Sequence, residues 1–144
     1  HNPTSQAQVF DAGGLYFVPR MDPKVSPQRL GAVGGFDVAE GPKRGTRQER
    51  LSLAPGQSAE LRLDVYCIDS HRPSPDPSTP FRIANERMPR RLVQEIGEAT
   101  KRAADANGGY AAPAAKSAVQ GEVWKNRDKQ WVRLEGEGDQ ERGK

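Results

Sequence analysis

The chain holds one cysteine, Cys67, and two histidines, His1 and His71, in 144 residues. A single thiol excludes an intrachain disulfide and any cysteine-based zinc cluster. Aromatic residues make up only 6% of the chain, too few for a base-stacking surface, and no recognition-helix or RNA-binding motif is present. No apolar run approaches the roughly 20 residues that cross a bilayer as a helix, so no membrane span is expected. Gly31 to Gly35 lacks both the lysine of a P-loop and a following helix, which excludes a phosphate loop of that kind. Nor is there a block of one charge. The net charge is +3 with the signs interspersed, and the densest cationic cluster, Arg87, Arg90 and Arg91, is followed by Glu95 and Glu98. That pattern predicts a solvated helix face rather than a nucleic-acid groove.

What is present is 15 glycines and 12 prolines, with 34% apolar residues, a composition that predicts one modest core with long irregular connections. The length predicts a single domain over residues 1–144. Residues 9–83 read as mainly β, 89–124 as two helices, and 135–144 as a flexible charged tail. Residues 1–8 read as an exposed lead-in. A strand is expected over Val9–Val18, interrupted at Gly13-Gly14, and Gly31 to Gly35 reads as a loop or strand edge before a short strand at Phe36–Val38. Ala54-Pro55-Gly56-Gln57 has the type II turn pattern. After it Leu61, Leu63, Val65 and Cys67 alternate with Arg62, Asp64 and Tyr66, which predicts a strand with Cys67 on its core face. Residues 69–80 hold four prolines and no other apolar side chain, so they must be loop. Phe81–Ile83 reads as a short strand.

From Pro89 to about Ala106 the stripe Leu92, Ile96, Ala99 and Ala103 predicts a helix stopped by Asn107-Gly108-Gly109. A second is expected from Pro113 to about Trp124, with Val119 and Val123 facing inward. Trp131–Leu134 reads as a final strand or helical turn. The fold class expected is α+β: an antiparallel, sandwich-like β portion with two packed helices in the C-terminal half.

Tyr66-Cys67 and Val119-Gln120-Gly121-Glu122-Val123-Trp124 together resemble the cross-linking pair of bacterial surface thioester domains. The resemblance covers roughly residues 51–131. Val119 stands where the family often has Thr, and Glu122 where it often has Ala. The resemblance implies an internal thioester between the Cys67 sulfur and the Gln120 side-chain carbonyl, shielded by Tyr66 and Trp124; proximity alone makes Glu122 the candidate to steer or deprotonate the incoming amine. It implies a secreted or cell-surface interaction module that takes a protein or glycan partner through an amine and needs no cofactor. The alternative is a non-covalent immunoglobulin-like accessory or binding domain.

An amino-terminal histidine is a copper chelator through its amine and imidazole, so His1 with His71 is a further candidate metal pair. Cys67 to His71 also contains the residue types of a hydrolase, but neighbours in an extended segment point apart. Trp124 and Trp131 read as packing residues, or as a carbohydrate platform if exposed together. The chain opens on His1 and shows no signal peptide, which predicts a processed or trimmed form. The β-rich, Pro/Gly-punctuated front half suits an exported protein.

Overall fold

The computed structural model describes residues 1–20 and 26–136. Seven strands precede two helices: β1 Gln8–Asp11, β2 Tyr16–Pro19, β3 Leu30–Glu40, β4 Arg47–Gln48, β5 Arg50–Leu53, β6 Glu60–Cys67, β7 Phe81–Ile83, α1 Arg90–Ala106 and α2 Pro113–Lys129. The fold is α+β, with antiparallel sheets and both helices in the C-terminal half.

The spine is β3. One of its edges carries β6, while the other carries β2 at its start and β4 near its end, with β7 beyond β2. β1 and β5 form a separate two-stranded ribbon. The glycines at 31–35, read as a loop or a strand edge, lie inside this 11-residue strand. Ala32 pairs with Val65 and the next pair is Phe36 with Leu63. Four residues of β3 therefore advance while β6 advances two. Gly34 and Gly35, at φ +75° and +94°, supply the left-handed backbone such a bulge needs. A Cβ on Gly34 would also lie 2.6–2.8 Å from ring atoms of Tyr110. The Gly13-Gly14 interruption separates two strands that belong to different sheets, so Val9–Val18 is not one strand.

Two core clusters use opposite faces of β6. Leu61 and Leu63 pack with Phe36, Val38, Leu51 and Leu53 under the β1–β5 ribbon. Tyr66, on the alternate face, packs with Tyr16, Ile68, Leu92, Ile96, Val119 and Val123 under the helices. Past Leu63 the ribbon no longer covers the Leu61 face. Val65 is accordingly 36% exposed and Cys67 only half-buried. Cys67, expected on the core face, lies on the face the alternation assigns it but is only half-buried, because the core changes faces along the strand.

α1 starts after Pro89 and closes with the Gly109 N–H on the Ala104 carbonyl at 2.6 Å. α2 begins at Pro113 and continues to Lys129 instead of ending near Trp124. Trp131–Leu134 forms neither strand nor helix. The lead-in is anchored rather than exposed throughout. Asn2 is buried, donates to the carbonyls of Gln6 and Leu53, and exchanges backbone bonds with Gly56 and Gln57 of the turn. Gly56 has φ +76°, as the type II pattern requires. Glu135, expected in the tail, is held by Arg82, Asn85 and the Tyr16 hydroxyl. Residues 137–144 of that expected tail lie outside the described residues, as do residues 21–25.

Candidate functional site

Cys67 is the last residue of β6, and the β6–β3 register decides where its backbone points. The Ile68 N–H donates to the Arg29 carbonyl at 3.0 Å, so the neighbouring pair Cys67–Leu30 is a non-hydrogen-bonded pair. The N–H and C=O of Cys67 therefore face away from β3, toward the free edge of the sheet. Gln120, from α2, meets them there. Its Oε1 accepts from the Cys67 N–H at 3.0 Å and its Nε2 donates to the Cys67 carbonyl at 2.6 Å. One side-chain amide thus acts as one residue of an additional strand and satisfies both backbone groups.

Gln120 reaches this edge because Val119 and Val123 bury the adjacent face of α2, which leaves position 120 at the margin of the helix–sheet contact. The expected adjacency of Cys67 and Gln120 is therefore present in the fold, although separated by 53 positions in sequence.

Burial raises the Cys67 thiol above its ordinary pKa, and the negative charge of Asp69 adds to the effect. At neutral pH it stays protonated. Asp69 itself is fully buried beside the site and forms a fork with Arg29, with Nε to Oδ2 at 2.9 Å and Nη2 to Oδ1 at 2.5 Å. Arg29 also donates to the carbonyls of Leu134 and Glu135. This clamp fixes both strand ends at which Cys67 sits.

The three supporting residues are placed differently from one another. Trp124 lies one helical turn beyond Gln120, half-buried, with its indole N–H on Gln28 Oε1 at 3.0 Å. Tyr66 points to the opposite face of the sheet from Cys67. Its hydroxyl is raised in pKa mainly by burial, then by Tyr110. Glu122 sits about 200° round the helix from Gln120, where its carboxylate and carbonyl accept from Asn126. A role for Glu122 beside Gln120 is not favoured by that placement.

The two histidines are not brought together. His1 Nδ1 lies 2.7 Å from the Ser58 hydroxyl, before β6, while His71 packs edge-on against Trp131 at 5.8 Å, after it. An eight-residue strand stands between them, about 26 Å of extended chain. Among the described residues no group of three or more His, Cys, Asp or Glu side chains is arranged to hold a metal ion. Ser70 bonds to Asp128 at 2.8 Å rather than to His71. Trp131 instead takes the Arg127 guanidinium over its ring at 3.9 Å.

Sequence reasoning missed the Arg29–Asp69 clamp and the Gln28–Trp124 contact. Pro27-Gln28-Arg29 carries no motif, and only the fold brings it to α2 and to the end of β6. No helix of the described residues is long and apolar enough to cross a membrane. The chain matches no family model, no curated protein and no solved structure.

Proposed function

We propose that this domain is an exported interaction module in which Cys67 and Gln120 form an internal thioester that captures an amine of a cell-surface partner, protein or glycan. The observation that carries the reading is the two-point docking of the Gln120 amide on the Cys67 backbone. Those two bonds hold the carboxamide near the plane of the sheet. The Cys67 side chain leaves that plane roughly at right angles, the side from which a thiol adds to an amide carbon. The Cys67 N–H already polarises the carbonyl that would carry negative charge in the tetrahedral intermediate.

In forming the bond, sulfur adds to Cδ, the thiol proton passes to Nε2, and ammonia leaves. In capture, a primary amine of the partner adds to Cδ, the C–S bond breaks, and sulfur regains a proton from the amine. The product is an amide between Gln120 and the partner, with Cys67 again a thiol. Because α2 packs on the Tyr66 face, the bond would stand on the less covered face of β6, where a partner amine has access. The raised thiol pKa makes sulfur a slow leaving group, which suits a bond that must outlast encounters with water.

Intact mass of freshly prepared protein tests this reading. A mass one ammonia below that of the sequence, with Cys67 refractory to alkylation until a primary amine is added, is the expected result. Full mass with Cys67 freely alkylated in fresh protein overturns it.

A second reading rests on the same contact. Gln120 uses both amide groups to complete an otherwise open sheet edge, the role of an edge plug in a non-covalent binding or accessory domain. Under that reading the mass is that of the sequence, and Gln120→Ala lowers stability without removing any amine reactivity.

A further inference from the structure

A cleft of about 970 Å³ lies between α1, the β1–β2 connection, the β3 bulge and the β4–β5 segment, away from Cys67. It lies at the upper end of the roughly 300–1,000 Å³ of small-ligand sites. It also continues along α1 into a second depression of about 460 Å³, the two sharing Gly34, Arg47 and Gly97. The whole is an elongated groove, longer than one small molecule requires.

Its floor is apolar, with Val33, Met88, Val93 and Ile96 lining the larger part. Its rim holds Arg47, Arg50, Arg87 and Arg90 with the carboxylates of Asp11 and Glu49. Arg47 pairs with Asp37 and Asp64 and Arg50 with Asp11, while no carboxylate of the described residues pairs with Arg87 or Arg90. Arg87 donates only to the backbone carbonyls of Asp11 and Gly13, which orients its charge without neutralising it. Toward the other end the balance reverses, with Glu98 and Asp105 against Lys101.

Gly97 lines both sections of the groove. It lies within α1, where glycine costs about 1 kcal/mol relative to alanine. Nothing lies within 4 Å of a Cβ built there. No contact inside the domain requires a glycine at this position. A bare helix surface on the wall of a groove is what close approach by another backbone requires.

We propose that this groove binds an extended segment of a partner polypeptide, with acidic residues toward the Arg87–Arg90 end and an aliphatic side chain on the Val33–Met88–Val93 floor. Charge complementarity sets the direction: the acidic end lies at the start of α1, and a basic residue or amino terminus lies by Asp105. The absence of any aromatic side chain from the larger section disfavours a glycan platform or a stacked nucleic acid, and the apolar floor disfavours a bare anion.

A displayed library of random linear peptides, panned on the whole domain, tests the proposal. The expected result is enrichment of peptides with clustered carboxylates at one end and an aliphatic residue beside them. A labelled synthetic copy of an enriched peptide should lose at least about tenfold in affinity on Arg90→Glu and on Gly97→Trp. Arg90→Glu places an acid at the first turn of α1, where it favours the helix, so lost binding with undiminished thermal stability separates recognition from folding. Gly97→Ala should raise stability and weaken binding, because the added Cβ stands where the partner backbone approaches; unchanged affinity would count against that approach. If Gly97→Trp does not fold, the Arg90→Glu result decides. No enrichment, enrichment of non-acidic peptides, affinity unchanged by Arg90→Glu, or displacement by inorganic phosphate or double-stranded DNA overturns the proposal.

Discussion

Arg29 and Asp69 form a closed, fully buried fork: the guanidinium meets both carboxylate oxygens, and the Arg29 backbone N–H donates to the same carboxylate at 2.8 Å. The pair ties the residue before β3 to the loop after β6, and its remaining donors reach Leu134 and Glu135 near the end of the described chain. Breaking one partner of such a pair leaves an uncompensated charge in the interior, a cost of about 3–5 kcal/mol. Asp69→Asn should therefore lower the urea midpoint severely without changing its slope. The apolar double variant Arg29→Met with Asp69→Leu should recover part of that loss, since no charge remains buried. It should not recover all of it, because the carbonyls that Arg29 serves and its own backbone N–H lose their partners. A double-mutant cycle in urea checks this, and additive losses would count against a coupled pair.

The clamp also marks how far the sequence could be read. Strand alternation located β6, the Pro55-Gly56 pattern located its turn, and the four-residue spacing of Val119 and Val123 located α2. These are local signals, written in neighbouring residues. The Cys67–Gln120 adjacency was accessible through a motif resemblance, and its backbone-to-amide form follows from the β3–β6 register, which no local pattern specifies. The glycines at 34 and 35 read as a loop or a strand edge because their common use is in turns, whereas here they build a bulge inside a strand. The change of core face along β6 depends on where the ribbon and the helices end. That is a tertiary property, and it is why Val65 is exposed on a face that the alternation assigns to the core. Arg29, the groove and Gly97 lacked a sequence signal for the same reason: each acquires its role from segments distant in the chain.

Gly34 and Gly56 separate conformation from packing. Both have left-handed backbones, at φ +75° and +76°. A Cβ on Gly56 meets nothing within 4 Å, while one on Gly34 lies within 2.8 Å of the Tyr110 ring. Gly56→Ala should cost only the conformational term, about 1 kcal/mol. Gly34→Ala adds displacement of a packed ring and should cost at least about 2 kcal/mol. Equal losses in denaturant would show that Tyr110 yields freely.

All three tyrosines, Tyr16, Tyr66 and Tyr110, have hydroxyls raised above the ordinary value, in each case chiefly by burial. The unfolded chain ionises them near pH 10. Where the folded pKa is the higher one, the stabilising difference is fully present below about pH 10 and is lost as the pH rises through the folded values. Tyrosinate absorbance of the native protein should therefore show no group titrating at the ordinary value. In denaturant the whole titration should move down to about pH 10. A native tyrosine ionising there would contradict the burial described.

Replacing the Gln120 amide by a carboxyl tests the edge contact without removing its bulk. Gln120 supplies one acceptor to the Cys67 N–H and one donor to the Cys67 carbonyl. In Gln120→Glu the ionised carboxylate still accepts from the N–H, but its second oxygen lies against the carbonyl oxygen with no proton between them. That mismatch should cost about 1–3 kcal/mol near neutral pH. Protonation restores a donor, so the folded state binds the proton more tightly than the unfolded chain and the folded pKa of the new group is raised. The stability of Gln120→Glu relative to the parent should then recover as pH falls toward the unfolded value of about 4.3 and decline as pH rises through the folded value. Gln120→Ala, with no ionisable group, should show a deficit that pH does not change over the same range. Urea unfolding of the three proteins between weakly acidic and neutral pH distinguishes the cases, and a deficit in Gln120→Glu that is flat with pH would show that the side chain has left the Cys67 backbone.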